Sequence, residues 1–398
     1  MTPRGFMVPA TVNEEIEVQL PGHGAFLPKG RSSCPLGLRV GAHPKALVPT
    51  EPSWCRMLTQ PTSFVSHLGL TMGRARIRMI AAAAALCMSG AAALAQDWPA
   101  RPLTLVVPFA AGGSSDAIAR IVAEGMRAEL GQPVRVENVG GAGGMLGANR
   151  VARAPPDGYQ LVLGNIGTHA QNQAVYRKPL YNAATDFAPV GLVVDQTLLL
   201  LTRKDFPADD LRSFITYARV NQGKLQYGSA GVGGSNHLAC LLLNSAVGIE
   251  VAHVPYRSGA QALQDTLAGR IDYQCPSLPI ALPQIRAGAV KALATLSKSR
   301  SASLPELASA QEQGLAGFDV AGWYALFAPA ATPPDVVLKL NRALVATLAM
   351  PGARQRLEAI GCDLFASDRS SPDYLRSLVA AEIARWAVVI KASGIGLE

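Results

Sequence analysis

The chain has 398 residues, of which 49% are apolar and 16% charged, and its formal net charge is +8. A chain of this length can bury one or two cores, which excludes a disulfide-stapled miniprotein and a disordered tail. From Asp97 onward there are 27 basic and 24 acidic side chains, and no run of five Lys or Arg occurs in the sequence. The sequence therefore lacks the electrostatic signature of nucleic-acid binding.

A leader-like segment lies well inside the chain. Three arginines between positions 74 and 78 precede an alanine-rich apolar stretch, Ile80–Ala93, and the small-residue motif Ala93-Leu94-Ala95. This order is typical of a secretory signal peptide and predicts export, with cleavage before Gln96. A stop-transfer helix is the alternative, but the stretch is short and weakly apolar for a bilayer core.

The segment upstream of this leader does not look like a domain. Residues 1–71 are rich in Pro, Gly and Ser and have no sustained apolar period. We expect them to be a disordered, non-native upstream extension. Translation would then start at Met72, and the signal peptide would span residues 72–95.

Cysteine and histidine are too few and too dispersed to predict a metal centre. The cysteines beyond the leader are Cys240, Cys275 and Cys362. Because their number is odd, at least one stays unpaired within the chain. None has CxxC spacing, and the three histidines beyond the leader, at positions 169, 237 and 253, do not stand at metal-ligand intervals. We expect buried structural thiols, no metal and no cofactor.

Short apolar runs alternate with amphipathic helical patterns from Asp97 onward. Strands are predicted at 103–108, 134–139, 161–164, 224–229, 251–256, from 271, at 290–296 and at 320–328. Helices are predicted at 116–130, 145–154, from Asp209 or Asp210 to 220, at 235–247, at 259–268, from 333 with an interruption at Pro351, and from a Ser371 cap onward. This alternation predicts an α/β fold with mainly parallel sheets covered by helices.

The length beyond the leader predicts two lobes. About 300 residues are more than one α/β layer usually needs. Two extended apolar stretches, Thr197–Thr202 and Ala321–Ala328, are the predicted crossovers. Residues 97–200 plus 321–398 would then build lobe 1, and residues 201–320 would build lobe 2.

Four loops rich in glycine and hydroxyl side chains each follow a predicted strand. They are 108–116, 140–147, 164–168 and 228–235. In open α/β sheets ligands collect outside the carboxyl ends of strands, where helix N-termini present free N–H groups. Glycine lets such amides approach a carboxylate closely, so the loops favour an anion site. The alternative is that strand-to-helix turns need Gly and Ser for geometry alone.

The motifs that could indicate an enzyme do not have the required spacing. Gly141-Ala142-Gly143 with Gly147 is only loosely related to the dinucleotide fingerprint. Tyr227-Gly228-Ser229-Ala230-Gly231 is not a nucleophile elbow, because Tyr227 stands where that motif has glycine. His237 could be a general base, but a helix-packing or capping role is favoured because the sequence shows no nucleophile partner.

Taken together, several segments resemble the Bug family of periplasmic solute receptors, the extracytoplasmic component of tripartite tricarboxylate transporters. These segments are Trp98-Pro99, Val107-Pro108-Phe109 through Asp116, Pro156-Asp157-Gly158-Tyr159, Ser229 through Leu238, His253-Val254-Pro255-Tyr256-Arg257, Ala287-Gly288, Lys291-Ala292-Leu293-Ala294, the Trp323 strand, Ala328-Pro329 and Thr332-Pro333. The chain departs from the family pattern at Ser258, where the family usually has glycine, and at Leu307-Ala308-Ser309.

The resemblance implies a two-lobed, type II Venus-flytrap binding protein in the periplasm that is not an enzyme. Its partners would be a small organic acid (a di- or tricarboxylate, amino acid or aromatic acid) and the membrane components of a tripartite tricarboxylate transporter; we also expect a monomer. The implied ligand-binding residues are Phe109, Gly112, Gly113, Ser115, Asn165, Thr168, Ser229, Gly234, Ser235 and His237. Asp116 is expected to cap its helix. A secreted hydrolase-like enzyme and a ligand-presenting sensor for a membrane kinase are the alternatives.

Overall fold

The described part of the chain builds two five-stranded sheets. The computed structural model describes residues 98–393, so residues 1–71, the leader and its cleavage site lie outside the described residues. The strands are β1 Leu103–Val107, β2 Val134–Asn138, β3 Gln160–Asn165, β4 Phe187–Gln196, β5 Leu199–Arg203, β6 Gln226–Ser229, β7 Ala252–Pro255, β8 Tyr273–Gln274, β9 Val290–Thr295 and β10 Gly322–Pro329.

The two sheets share one plan. The first has the order β2-β1-β3-β10-β4 and the second has the order β7-β6-β8-β5-β9. In the first sheet β1 is parallel to β2 and β3, while β10 is antiparallel to β3 and β4. In the second, β6 is parallel to β7 and β8, while β5 is antiparallel to β8 and β9. Four strands of each sheet therefore point one way, and the predicted fold class is confirmed.

The chain passes between the sheets at two neighbouring places. Strand β4 ends at Gln196 in the first sheet, and β5 begins at Leu199 in the second. On the return, the Val320 N–H still donates to the carbonyl of Leu296, at 2.9 Å, before β10 begins at Gly322. Gly322 lies opposite Gln196 in the strand pairing. The lobes around the two sheets are thus joined by paired strands, an arrangement that suits hinge motion.

Helices cover both sheets. They are α1 Ser114–Leu130, α2 Met145–Ala152, α3 Asn172–Val175, α4 Leu211–Asn221, α5 Ser235–Val247, α6 Gly259–Leu267, α7 Leu278–Arg286, α8 Pro334–Ala349, α9 Pro351–Ala359 and α10 Pro372–Ser393. On β1, Leu103 and Leu105 pack in one apolar cluster with α1 and α8, while Val106 packs in another. This alternation places one core on each face of the first sheet.

The predicted helix starts are confirmed where a side chain close in sequence caps the helix. Asp210, and not Asp209, begins α4, because its Oδ1 accepts the Ser213 N–H at 2.7 Å. The Ser371 hydroxyl oxygen accepts the Tyr374 N–H at 3.1 Å, as expected of a cap for α10. The strand expected from Lys224 starts at Gln226, because residues 222–224 form a 3-10 turn.

The interruption expected at Pro351 is a sharp bend between α8 and α9. The two helix axes differ in direction by 71°. Within residues 98–393, no single helix has both the length and the apolar composition of a membrane span; the bent pair α8 and α9 meets that test only jointly.

Candidate functional site

A cavity of about 350 Å³ lies where the N-termini of four described helices meet. Its lining combines backbone, hydroxyl and amide groups with a few rings and one aliphatic side chain. The lining residues are Phe109, Gly113, Ser114, Ser115, Asn165, Gln196, Asn236, Ser258, Gly259, Ser277, Ile280 and Tyr324. This volume includes space that is open to solvent.

The four helices bring positive electrostatic potential to the cavity without a cationic side chain. Helix α1 begins after Gly113, α5 after Gly234, α6 after Ser258 and α7 after Ser277. The first turns of α1, α5 and α6 have N–H groups that lack helical partners, and the aligned peptide dipoles of all four helices place partial positive charge at their starts. At the start of α7 the Leu278 N–H donates to the Thr197 carbonyl and Pro279 has no N–H, so this helix contributes through its dipole. Among the described residues, the cavity lining includes no Lys, Arg, Asp or Glu. The arrangement therefore suits an anion that is held by neutral donors.

Asp116 holds the first loop in shape and does not cap α1 as predicted. Its Oδ2 accepts the Gly112 N–H at 3.1 Å and Arg120 Nε at 3.1 Å, and its Oδ1 accepts from the Asn138 amide at 3.1 Å. Burial raises the pKa of Asp116, but the hydrogen bonds from Arg120, Gly112 and Asn138 outweigh it and leave the pKa below its usual value. The capping expectation is wrong because Gly113 is the N-cap and the carboxylate reaches back to the residue before it.

Asn165 and Thr168 fix each other at the end of β3. The Thr168 N–H donates to Asn165 Oδ1 at 3.0 Å, and the Asn165 N–H donates to Thr168 Oγ1 at 2.9 Å. Thr168 is fully buried and lies outside the cavity lining, whereas Asn165 is part of it. The predicted pair is thus brought together, with Thr168 holding Asn165 in place.

A buried polar cluster at the base of the cavity joins two strands of the first sheet to the starts of two helices. Gln196 Nε2 lies 3.0 Å from the Ser235 hydroxyl oxygen, 3.1 Å from that of Ser277 and 3.2 Å from that of Tyr324. Gln196 and Tyr324 belong to β4 and β10, while Ser235 and Ser277 stand at the starts of α5 and α7. This cluster therefore joins the lobes below the ligand space.

Six predicted ligand-binding residues lie outside the cavity lining: Gly112, Thr168, Ser229, Gly234, Ser235 and His237. Two of them make hydrogen bonds at the loop after β6. The Ser229 hydroxyl lies 2.7 Å from His253 Nε2, and His237 Nδ1 accepts the Gly233 N–H at 3.2 Å. The other four, Phe109, Gly113, Ser115 and Asn165, do line the cavity. The ligand role of all ten stays a prediction.

Sequence reasoning missed Gln196, Asn236, Ser277 and Tyr324 as lining residues. Asn236 and Ser277 each stand at the start of a helix that follows a strand, a signal that could have found them. Tyr324 lies in a stretch interpreted only as a crossover, and Gln196 lies just before the other predicted crossover. For Gln196, a polar residue that ends a long apolar run was the available clue.

A disulfide ties together two of the helix starts at the cavity. Cys240 in α5 and Cys275 just before α7 are bonded, with their Cα atoms 5.5 Å apart, and Cys362 is a buried free thiol. The Asn236 amide donates to the Cys275 carbonyl at 3.4 Å. The expectation of structural thiols is therefore right for Cys362 and wrong for Cys240 and Cys275. These two cysteines are brought together by the fold, and their spacing in the sequence gives no sign of it.

Two buried histidines and one half-buried histidine predict acid sensitivity. Burial lowers the pKa of His169 to about 3 and that of His253 to about 4. Burial and the neighbouring His253 together lower the pKa of His237 to about 3. Since the unfolded chain binds more protons below pH 6.5, the unfolding free energy should fall as the pH falls from 6.5 toward 4. Burial and the neighbouring Asp363 raise the pKa of Asp195 to about 6, which opposes part of this loss.

Urea unfolding between pH 7.5 and 4.5 checks this expectation. His237→Gln keeps an acceptor for the Gly233 N–H but cannot titrate. The unfolding free energy of His237→Gln should therefore fall less steeply than that of the unaltered protein as the pH falls below 6.5. The two slopes should differ by about 1.4 kcal/mol per pH unit. Equal slopes in the variant and the unaltered protein would contradict the prediction.

Comparison with known proteins gives the chain a family. The family model described as tripartite tricarboxylate transporter family receptor matches residues 118–395. A UPF0065 protein of Agrobacterium vitis is 39% identical over 303 residues, which cover 76% of this chain and 87% of that protein. The structure of the periplasmic binding protein BugD is similar with a TM-score of 0.73 and 38% identity, over 76% of this chain and 100% of that chain.

A second solved structure carries a ligand. MatC from Rhodopseudomonas palustris, with bound malate, is 40% identical with a TM-score of 0.72, over 74% of this chain and 100% of that chain. The resemblance stated from sequence segments is thereby confirmed. This chain belongs to the receptor family of tripartite tricarboxylate transporters.

Proposed function

We propose that this protein is a periplasmic receptor that captures a small dicarboxylate in the cavity between its lobes and performs no catalysis. The observation that carries the proposal is the meeting of four helix N-termini around a lining without charged side chains. The captured ligand would pass to the membrane components of a tripartite tricarboxylate-type transporter. The leader-like segment that ends before Gln96 supports export to the periplasm.

The charge available in the cavity favours a dianion. Each helix N-terminus acts as roughly half a positive charge, so four of them supply about +2. A dicarboxylate balances this charge, whereas a tricarboxylate leaves one buried negative charge without compensation. The dicarboxylate malate in the related protein MatC is of the matching class.

Closure follows from the way the site is divided. We propose that residues 97–198 with 321–398 form lobe 1 and that residues 199–320 form lobe 2; the boundary expected at 200 moves because β5 begins at Leu199 in the second sheet. Lobe 1 then supplies residues such as Ser115 and Asn165, and lobe 2 supplies residues such as Ser258 and Ser277. A ligand that bridges the two sets makes all its contacts only when the lobes are closed, so binding shifts the population toward that form.

One observation favours a hydrolase as a second candidate. Ser229 and His253 lie at the hydrogen-bonding distance expected of a nucleophile and its base. However, Ser229 Oγ also accepts the Gly231 N–H at 3.1 Å, and neither residue lines the cavity. Within residues 98–393, no Asp or Glu is hydrogen-bonded to His253 to orient it. The pair therefore supports the shape of the loop better than it supports catalysis.

Calorimetry with malate, succinate, adipate and citrate tests the proposal. We expect one-to-one binding of at least one dicarboxylate, tighter than that of citrate, with the ligand recovered unchanged by mass spectrometry. Turnover of the ligand would favour the enzyme, and preferred binding of citrate would contradict the charge argument. Loss of labelled dicarboxylate uptake in a deletion strain would separate transport from sensing.

A further inference from the structure

The two lobes also touch outside the cavity, through main-chain atoms. Gly143 lies in the loop after β2, and Val232–Gly234 lie in the loop after β6. A Cβ atom on Gly143 would lie 2.5 Å from the Val232 carbonyl oxygen, 2.7 Å from the Gly233 carbonyl carbon and 2.8 Å from the Gly234 nitrogen. Main-chain atoms cannot rotate away as the end of a side chain can. This approach therefore requires glycine at position 143.

Side chains of lobe 1 reinforce the same contact. The Tyr176 hydroxyl donates to the Val232 carbonyl at 3.0 Å, and the Asn172 amide donates to the Gly143 carbonyl at 3.4 Å. A Cβ on Gly233 would in turn lie 2.5 Å from the Tyr176 hydroxyl. We call Gly143, Tyr176 and Val232–Gly234 the interlobe contact. None of these residues lines the cavity.

We propose that the interlobe contact sets the fraction of receptor that is closed, and that Gly143 is a positioning residue for closure that affects affinity but not the choice of ligand. This inference rests on the proposed function, because closure matters only for a receptor that closes on its ligand. When binding needs the closed form, the apparent dissociation constant is the intrinsic one divided by the closed fraction. A change in that fraction scales every ligand equally, whereas a change in the cavity lining affects ligands unequally.

The chain offers a matched control for Gly143. Gly143 has φ +59° and Gly131, at the end of α1, has φ +68°, so alanine meets the same left-handed backbone strain at both positions. A Cβ on Gly131 has no atom within 4 Å. Both variants therefore add the same backbone strain, but only Gly143→Ala adds a collision with lobe 2. Gly143→Asn is a second variant, because asparagine tolerates this backbone better than alanine while adding a larger group.

The experiment measures calorimetric affinities for malate, succinate and adipate in each variant. Gly143→Ala and Gly143→Asn should lose at least about tenfold, by the same factor for all three ligands, which corresponds to 1.4 kcal/mol or more. Gly131→Ala should bind as the unaltered protein does. Small-angle X-ray scattering with malate should show compaction in Gly131→Ala and a larger radius of gyration in Gly143→Ala.

Two results would overturn the inference. One is equal affinity in Gly143→Ala and Gly131→Ala, and the other is an unequal loss among the three ligands. If the unaltered protein binds none of these carboxylates, the proposed function fails instead. Scattering without ligand then decides the inference alone, since equal radii in the two alanine variants would contradict it.

Discussion

Ser258→Asp should lose between about a hundredfold and a thousandfold in affinity for dicarboxylates while remaining folded. Ser258 is the N-cap of α6, is 2% exposed and lines the cavity. Aspartate caps helices as well as serine does, so α6 should persist. Its charge would stand beside the bound anion, and two like charges about 4 Å apart repel by about 4 kcal/mol at an effective dielectric constant near 20.

Ser258→Asn is the matched control, because asparagine is also a strong N-cap and has the shape of aspartate without its charge. Calorimetry should show a much smaller loss in Ser258→Asn than in Ser258→Asp. Thermal melting of the two variants should be similar. Equal affinities would mean that the cavity does not hold an anion near α6, and the proposed function would then be wrong.

Removing the disulfide should cost about 4 kcal/mol of unfolding free energy. The bond between Cys240 and Cys275 closes a loop with a sequence separation of 35 residues, and the entropy of such a loop in the unfolded chain gives this magnitude. Urea unfolding of the Cys240→Ala/Cys275→Ala variant measures it. Affinity should fall as well, because the bond holds the starts of α5 and α7 at the cavity.

Reductant supplies the control for the disulfide. Dithiothreitol should destabilise the unaltered protein and the Cys362→Ala variant, which keeps the bond, but should not affect the double alanine variant. If reductant changes none of the three, or all three equally, the predicted stabilisation by the bond is contradicted.

The fold could be predicted from the sequence where local signals define it. Helix α5 begins and ends as predicted, because Gly234 precedes it in extended backbone and Gly248 ends it in the left-handed region. Strand β8 contains only Tyr273 and Gln274, since its length depends on pairing with β5 and β6. Such pairing has no local sequence signal.

The candidate site was predictable as a set of loops but not as a set of contacts. Two of the four predicted loops, 108–116 and 228–235, lead into helices that begin at the cavity, whereas α6 and α7 begin after segments that were not predicted as such loops. Which side chains face the cavity depends on long-range packing. Gln196 and Tyr324, for example, meet across 128 residues of sequence. Ser229 and His237 carry suggestive chemistry but turn toward His253 and Gly233.

The paired strands at Gln196 and Gly322 also determine where motion is smallest. If the lobes rotate about this pair, atoms move in proportion to their distance from it. The amide of Gln196 sits at the pivot and would shift little. The Ser235 hydroxyl, 3.0 Å from that amide, would also shift little, so the polar cluster at the base of the cavity would remain assembled while the lobes open and close.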